Sequence, residues 1–309
     1  MQTALCISSG LPDTSSMSKL ARLVLDFSSS RLRVLVSVSG GRSSMYMAHR
    51  LATEYADVYD MQFVFANTGA EHESTLRFVH ECEVRWQMPI TWVEAVFHGH
   101  GVGTTHRVVS FDTASRNGQP FHDMCAKLGI PNVNFPFCTR ELKLRPITSF
   151  IRDEVGWGTR YATAIGIRAD EPKRLRSDAT EACVIYPLAS LFPTTKAEIN
   201  DWWNDQPFDL EIPDILGNCT WCWKKSLRKL IAVAADDPEW FSLPDRLEQQ
   251  YGLVSPPSRP NKPTSSMVFF RGSRSASDII AISRITGNRQ FGNTDPDENS
   301  GCSESCEVF

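Results

Sequence analysis

The chain has 309 residues, of which 41% are hydrophobic and 22% are charged, and its formal net charge is −4. This composition is typical of a soluble globular protein, and the net charge gives no global electrostatic case for nucleic-acid binding. No apolar run approaches the roughly 18 residues that span a bilayer, and the start lacks the basic and apolar segments of a secretory signal. We therefore expect a cytoplasmic protein without a membrane partner.

Short β-branched runs alternate with helical periodicity after a serine-rich start. The sequence predicts a flexible leader over residues 1–30, a first domain over residues 31–212 and a smaller helical, cysteine-containing region over residues 213–309. The β-α-β-α-β order predicts a parallel sheet with right-handed crossovers. Strands are predicted at residues 34–38, 61–66, 90–96, 161–167 and 183–188, and helices at 43–55, 73–86, 121–128, 139–155, 196–204, 224–235, 243–251 and 276–285. Residues 98–119, rich in Gly, Thr and His, are predicted to form an irregular loop.

The turn after the first predicted strand is the most informative segment. Residues 39–44 are Ser-Gly-Gly-Arg-Ser-Ser, and two glycines let backbone N–H groups approach an anion closely. The helix N-terminus that follows adds a favourable partial charge, and the serine hydroxyls add donors. The Gly-Lys-Ser/Thr of a Walker A loop does not follow. The segment predicts a phosphate-binding turn, and an ordinary Gly-Gly turn is the alternative.

Polar residues also follow the second predicted strand. Asn67, Thr68, Gly69 and Glu71 lie where the strand ends, and ligands of open α/β sheets bind at the carboxyl ends of strands. This segment could contact a ribose, a phosphate or a metal. The alternative is that Asn67 or Thr68 caps the next helix.

A charged segment follows the fourth predicted strand. Gly166 and Arg168 precede Asp170 and Glu171. Arg168 is therefore predicted to point into the crevice at the carboxyl ends of the strands, where the first two segments also lie. Asp170 or Glu171 could hold Mg²⁺ or cap a helix. A solvated loop is the alternative.

Cys138 lies at the start of a predicted helix, close to Arg140 and Lys143. A helix N-terminus and nearby cations lower the pKa of a thiol, which suits a nucleophile or a metal ligand. Arg140 and Lys143 are three residues apart and are predicted to share a face that grips phosphate oxygens. The alternative is a buried cysteine beside a solvated basic face.

Nine cysteines are many for a reducing compartment, where disulfides rarely persist. Four of them form the close pairs Cys219-x-x-Cys222 and Cys302-x-x-x-Cys306. Paired thiols in such a compartment favour a metal or a redox centre.

Two further features of the sequence are weaker. His98, His100 and His106 lie in the predicted loop, where isolated histidines are favoured over a metal site. Residues 224–229, Lys-Lys-Ser-Leu-Arg-Lys, form a local basic face that gives weak support for a tRNA or DNA substrate.

In their order and spacing, the motifs between Ser39 and Glu171 resemble the phosphoadenosine phosphosulfate (PAPS) reductase-like family of PP-loop ATP pyrophosphatases. The resemblance runs over about residues 33–188, with a looser match at residues 219–222. It implies an adenine nucleotide alpha hydrolase-like (HUP-type) α/β fold with a five-stranded parallel sheet, helices on both faces, and ATP or PAPS over the carboxyl edge.

The tail, Cys-Ser-Glu-Ser-Cys-Glu-Val-Phe over residues 302–309, lacks the Glu-Cys-Gly-Leu/Ile-His motif of the sulfonucleotide reductases. The chain therefore looks more similar to phage and bacterial PAPS reductase-like proteins, to the DNA phosphorothioation sulfurtransferase and to iron–sulfur tRNA thiolases. These enzymes pair a PP-loop with a cysteine-held [4Fe-4S] cluster. In such a site Cys219 and Cys222 would be joined by Cys138 and by Cys302 or Cys306. The same thiolates would satisfy Zn²⁺, and a redox pair or a plain core needs no metal.

The resemblance implies an enzyme that cleaves ATP between the α- and β-phosphates to activate an acceptor, with sulfur carried on Cys138 or on the cluster. One alternative is a sulfonucleotide reductase acting on PAPS or its 5′-phosphosulfate relative; another is a non-catalytic nucleotide- or nucleic-acid-binding protein with structural zinc. The expected partners are an adenine nucleotide, a tRNA or DNA acceptor, a sulfur donor or thioredoxin-like reductant, and a second copy in a homodimer. The assigned residues are Cys138, Arg140, Lys143, Arg168 and Asp170 for catalysis; Ser39, Gly40, Gly41, Arg42, Ser43, Ser44, Asn67, Thr68, Gly69 and Gly166 for the nucleotide; and Cys138, Cys219, Cys222, Cys302 and Cys306 for metal.

Overall fold

The computed structural model describes residues 31–99, 101–217, 219–256 and 263–286. The predicted leader and the Cys302/Cys306 pair lie outside the described residues. Within these ranges, no helix has the length and apolar character needed to cross a membrane.

The described chain forms an α/β fold. The first are β1 (Leu32–Val38), α1 (Arg42–Glu54), β2 (Tyr59–Ala66), α2 (Glu73–Trp86), β3 (Ile90–Val96) and β4 (Thr105–Val109). Next come α3 (Gln119–Leu128), α4 (Phe137–Thr139), a π-helical turn (Arg140–Leu144), α5 (Arg145–Asp153), β5 (Ala162–Ala164), a 3₁₀ turn (Pro172–Arg174), β6 (Val184–Ile185), α6 (Pro187–Ser190) and α7 (Lys196–Asn204). The last are a 3₁₀ turn (Asp214–Leu216), α8 (Leu227–Asp236), a 3₁₀ turn (Pro238–Phe241), α9 (Ser242–Tyr251) and α10 (Ala276–Thr286).

The sheet has six strands in the described chain, in the order β4-β3-β2-β1-β5-β6. Strand β4 pairs antiparallel with β3, whereas the other pairs are parallel. The five-stranded parallel sheet is therefore corrected to a mixed sheet of six strands, and the predicted loop over residues 98–119 contains a strand. A charged pair helps to fix this edge, because Arg107 lies opposite Glu94 and binds its carboxylate at 2.6 Å.

Strand β1 is central, with β2 and β3 on one side and β5 and β6 on the other. The strand order thus reverses between β1 and β5. In open α/β sheets ligands bind in the crevice outside the carboxyl ends of the strands at such a point.

Alternating side chains of the sheet enter two different cores. Val34, Val36 and Val38 pack in a cluster with buried side chains of α1, α2 and α7, among them Trp203. Leu35 packs in a separate cluster with side chains of α5. Because successive side chains of a strand point to opposite faces, helices cover both faces of the sheet.

A further core lies where the C-terminal helices meet α3. It contains Phe121 and Met124 of α3, Leu142 of the π-helical turn and apolar side chains of α8, α9 and α10. This core includes residues from both sides of position 212, where the sequence predicts a domain boundary.

Candidate functional site

The turn between β1 and α1, residues 39–44, is called the glycine turn below. Helix α1 begins at Arg42, and its N-cap residue Gly41 offers no side-chain cap. The first N–H groups of a helix need partners from outside the helix, so this end can take an anion. Inside the turn, the N–H and the hydroxyl of Ser39 donate to Ser44 Oγ at 3.1 and 3.0 Å, and that hydroxyl donates to the Gly41 carbonyl at 3.0 Å. The turn is thereby held in one shape.

Gly40 shows why a glycine is needed in this turn. Its φ is +82°, and a Cβ at this position would lie 2.6 Å from Thr75 Cγ2 on α2. Any other residue would adopt a strained backbone conformation here, and its side chain would collide with helix α2.

Arg168 reaches the glycine turn from the end of β5. Its side chain is 7% exposed, and its Nη1 donates to Ser43 Oγ at 3.2 Å. Gly166 allows this approach, because a Cβ there would lie 3.0 Å from Ser44 Cα and 3.2 Å from Ser44 N. The structure thus brings together the segments that follow the first and fourth predicted strands, at the point where the strand order of the sheet reverses.

Asp170 and Glu171 hold Arg168 in place. Arg168 Nε donates to Asp170 Oδ1 at 2.9 Å, and the Arg168 N–H donates to Glu171 Oε2 at 3.2 Å. Partial burial works against ionisation of Asp170, but the hydrogen bond and charge of Arg168 outweigh it and hold the pKa of this carboxyl below its ordinary value. Asp170 is 39% exposed, so a charged carboxylate is accessible beside the turn.

The side chain of Arg42 is bound to protein groups and is not directed at the predicted phosphate site. It forms a two-point ion pair with Asp209, with both distances 2.7 Å, and donates to the Leu210 carbonyl at 2.8 Å. What Arg42 offers to an anion is therefore its backbone N–H at the start of α1.

A cavity opens beside this helix start, and we call it the glycine-turn cavity. It is lined by Gly41, Arg42, Ser43, Lys196, Ile199, Asn200, Leu210, Ile212, Pro213 and Gly217. Sequence reasoning missed Lys196 and Asn200. The signal for their position was present, since Thr195 and Glu198 form a capping box that starts α7.

Asn67 and Thr68 bind protein groups at the end of β2. The amide of Asn67 donates to Glu94 Oε1 at 2.6 Å, and the N–H and hydroxyl of Thr68 donate to Glu71 at 2.9 and 2.7 Å. The alternative that either residue caps the next helix is wrong, because His72 is the N-cap of α2 and accepts from the Ser74 N–H.

Buried Glu94 organises this end of the sheet, and sequence reasoning missed it. Its carboxylate accepts from Asn67, from the N–H and hydroxyl of Ser115, and from Arg107. A charged residue inside the predicted strand at 90–96 was the available signal.

Three predicted cysteines line one cavity, which we call the thiol cavity. Cys138, Cys219 and Cys222 share its wall with Thr68, Phe121, Thr139, Leu142, Lys143, Trp221, Trp223 and Lys224. Trp223 Nε1 donates to Cys138 Sγ at 3.4 Å, and Thr68 Oγ1 lies 3.5 Å from Cys219 Sγ. Thr68 therefore links the end of β2 to the thiols.

Charge around Cys219 is mixed. Burial raises the pKa of the Cys219 thiol well above its ordinary value, Glu71 raises it further, and Lys143 opposes both. In this surrounding the thiol is neutral unless a cation binds it.

Arg140 and Lys143 do not share one face as predicted. The side chain of Arg140 is 56% exposed and pairs with Glu141 at 2.9 Å, whereas Lys143 is 6% exposed and lines the thiol cavity. The intervening turn is π-helical, so the three-residue spacing of an α-helix does not apply to it.

The basic run at residues 224–229 is also not a uniform solvated face. Lys225 is 1% exposed, and its Nζ donates to the carbonyls of Gly217, Cys219 and Thr220 at 2.9, 3.2 and 2.8 Å. This lysine holds the cysteine loop from inside the protein.

The described residues include three of the five predicted metal ligands. The three sulfurs of the thiol cavity are soft donors of the type that binds iron–sulfur clusters or zinc. Within the described ranges, however, no three His, Cys, Asp or Glu side chains converge as metal ligands. Cys302 and Cys306 lie outside the described residues, so the predicted ligand set stays a prediction.

The histidines of the predicted loop are separate in the described chain. His106 lies in β4, and its Nδ1 is 2.9 Å from Ser149 Oγ, while His98 Nε2 is 2.6 Å from Thr105 Oγ1. His100 lies outside the described residues.

Comparison with known proteins gives a family. No model of a known protein family matches the chain. Over 286 residues the chain is 36% identical to the uncharacterized nin region protein ORF290 of Escherichia phage lambda, and the alignment covers 89% of this chain and 94% of that protein. The chain belongs to the family of nin region protein ORF290. Because the name of that relative carries no activity, the function of the chain must be inferred from its own residues.

Proposed function

We propose that the protein is a PP-loop enzyme that cleaves ATP between the α- and β-phosphates to activate an acceptor. One observation carries the proposal: an uncapped helix start, two serines and buried Arg168 meet at the point where the strand order reverses. Backbone N–H groups at a helix start and an arginine are the donors that bind phosphate in proteins. The resemblance to PP-loop pyrophosphatases names the nucleotide.

In this proposal the N–H groups of Gly41, Arg42 and Ser43 bind the pyrophosphate part of ATP. Arg168, held by Asp170 and Glu171, stabilises the charge that develops when the bond to pyrophosphate breaks. Mg²⁺ would neutralise the phosphates, and Asp170, charged and 39% exposed, is the carboxylate we assign to it.

An oxygen of the acceptor would attack the α-phosphorus, so that the bond to the β-phosphate oxygen breaks and pyrophosphate leaves. The acceptor oxygen then carries AMP and is a good leaving group. A sulfur donor of the persulfide class would first transfer its outer sulfur to the Cys138 thiol and leave as a thiol. The outer sulfur of the Cys138 persulfide would then attack the acceptor carbon, so that AMP leaves with the acceptor oxygen and a mixed disulfide joins the acceptor to Cys138. A thioredoxin-like dithiol would open the resulting mixed disulfide and supply its two electrons.

The thiol cavity supports sulfur transfer as the second half of the reaction. Cys138, Cys219 and Cys222 line it, and Thr68 links it to the end of β2. A [4Fe-4S] cluster held by these thiolates would, when bound, take up or donate sulfide. Cys138, Cys219 and Cys222 are the described residues that would hold it.

The test is pyrophosphate release from ATP, with total tRNA or DNA supplied as the acceptor, by the full chain and by Ser43→Ala. This change removes the hydroxyl that accepts from Arg168 but keeps a good helix former, so we expect at least a tenfold loss of release with little change in stability. Thr53→Ala, at the exposed far end of the same helix, is the matched control and should release pyrophosphate at the normal rate.

Three results would reject the proposal. Equal pyrophosphate release by Ser43→Ala and the unaltered protein would exclude the glycine turn as the site of ATP cleavage. Sulfite formation from PAPS with thioredoxin would indicate a sulfonucleotide reductase instead. ATP binding without turnover would indicate a non-catalytic nucleotide-binding protein.

A further inference from the structure

A separate open cavity lies next to the thiol cavity, and we call it the Trp240 cavity. Its empty volume, including its mouth, is about 800 Å³. Trp221 lines both cavities. The lining residues used below are Glu71, Arg116, Thr220, Glu239, Trp240 and Arg246.

Two of the charged residues of this cavity are committed to other protein groups. Arg116 binds Glu73 at 2.7 Å and the carbonyls of Phe111 and Ala114. The Glu71 carboxylate accepts from the N–H and hydroxyl of Thr68. These side chains form the wall and leave little capacity for a ligand.

Of the remaining three charged residues, Asp237 accepts from the Glu239 N–H at 2.9 Å. The Glu239 and Arg246 side chains, which carry opposite charges, remain available. Within the described residues, the Glu239 carboxylate and the Arg246 guanidinium make no ion pair and no side-chain hydrogen bond, and they do not pair with each other. Both side chains are exposed, one just before Trp240 and the other in α9. A ligand that carries both charges would match both partners.

Trp240 and Thr220 indicate further which chemical groups the ligand carries. Trp240 is half-buried, with its ring held 5.3 Å from that of His72, and the face of an indole ring attracts ammonium groups. Thr220 is 1% exposed, and its hydroxyl has no hydrogen-bond partner in the described part of the chain. Such an orphaned hydroxyl is costly to bury unless a ligand or water completes it.

From these observations we infer that the Trp240 cavity binds a small zwitterion of the free α-amino acid type with a polar side chain. The ammonium group lies against Glu239 and the Trp240 ring, and the carboxylate binds Arg246. The polar side-chain group meets the wall formed by Thr220, beside the cysteine loop. The inference goes beyond ATP cleavage, because this binding needs no nucleotide.

Calorimetry on the full chain without nucleotide tests the inference, with L-serine, L-cysteine, L-asparagine and L-glutamine as probes. We expect saturable binding of at least one probe, and at least tenfold weaker binding of its N-acetyl derivative and of its methyl ester, which each lack one charge. Glu239→Gln and Arg246→Gln should each weaken the best probe by about tenfold or more. Arg160→Gln, an exposed arginine remote in sequence from the lining, is the matched control and should bind it normally.

Thr220→Val separates a ligand-facing hydroxyl from a structural one. Because the hydroxyl has no partner in the described chain, the variant should be at least as stable as the unaltered protein. It should nevertheless bind the best probe several-fold more weakly.

Two results would overturn the inference. One is the absence of binding of all four probes, or equal binding of the free and N-acetylated forms. The other is binding of a single-stranded oligonucleotide that depends on Arg246 but not on Glu239. This result would identify the ligand of the cavity as a polyanion and not as a zwitterion. Either result leaves pyrophosphate release from ATP untouched, so failure here is distinguishable from failure of the proposed function.

Discussion

At the scale of single residues, Lys225 is the side chain with the clearest structural task. Its ammonium group donates to three backbone carbonyls around the cysteine loop and is 1% exposed. Lys225→Met keeps the length of the side chain but removes the donor to all three carbonyls, although the Cys219 carbonyl still accepts from the Cys222 N–H at 2.9 Å. Because each lost buried hydrogen bond costs about 1–3 kcal/mol, we expect the free energy of unfolding to fall by about 3 kcal/mol or more, measured by urea denaturation.

Lys173→Met is the control for this change. Lys173 is exposed in the 3₁₀ turn after Glu171, so its replacement should alter the free energy of unfolding by less than about 0.5 kcal/mol. Equal stability of Lys225→Met and Lys173→Met would show that the three hydrogen bonds contribute nothing to folding.

The same lysine shows what a single sequence cannot reveal. Lys224 and Lys225 are neighbours in one basic run, and composition treats them alike. In the structure Lys224 lies on the cavity wall with its Nζ 5.7 Å from the centre of the Trp223 ring, whereas Lys225 points inward. Burial of a charge depends on carbonyls brought close by the loop, and no spacing rule encodes them.

At the scale of elements, Glu248 ties α9 to the start of α10. Its carboxylate accepts from the N–H groups of Phe269 and Ala276 at 2.8 and 2.9 Å. Burial raises its pKa to about 7, against the two N–H groups, which lower it. The folded protein therefore holds a proton on Glu248 at a pH where the unfolded chain has released it.

The sign of the effect follows from proton binding. A carboxyl with a raised pKa in the folded state favours folding below its unfolded pKa of about 4.5, and this contribution is lost as pH rises through about 7. We expect urea denaturation to show that Glu248→Gln removes part of the fall in stability between pH 4.5 and 7. Glu211→Gln, at an exposed position, should keep the full pH dependence, and an unchanged slope in Glu248→Gln would contradict the assignment.

Long periodic elements could be predicted from the sequence, and short ones could not. The span predicted for α7 is the observed Lys196–Asn204, since a capping box and apolar spacing agree there. Strands β5 and β6 have three and two residues, so the spans predicted at 161–167 and 183–188 were too long. Strand β6 ends early because Pro187 opens a helix directly after it. The edge strand β4 was missed because its residues, Thr-His-Arg-Val-Val, show no apolar–polar alternation and none of them is fully buried.

At the scale of the whole molecule, the meeting of distant segments was predictable because parallel strands end at one edge of a sheet. This rule alone brought Ser43 and Arg168 together. The glycine-turn cavity was not predictable, since Asn200 reaches it from a helix far along the chain. The three cysteines that line the thiol cavity, by contrast, were predicted to come together.

The metal prediction depends on the whole chain, because two predicted ligands lie outside the described residues and three line the thiol cavity. We expect protein purified without oxygen to be brown and to contain iron and acid-labile sulfide, as thiolate-held clusters do. Cys219→Ala and Cys222→Ala should lose both elements. Cys183→Ala, which changes a half-buried thiol near β6, should retain them.

The double change Cys302→Ala with Cys306→Ala then decides the fourth ligand. Loss of iron in this variant would place the C-terminal pair at the cluster, whereas full retention would leave three protein thiolates and one open iron position. A colourless protein with one zinc per chain would replace the cluster by a structural site, because zinc has no redox chemistry and prefers four thiolates. Protein free of both metals would contradict metal binding and leave a dithiol pair, in which Cys219 reacts only slowly with a thiol reagent because burial raises its pKa.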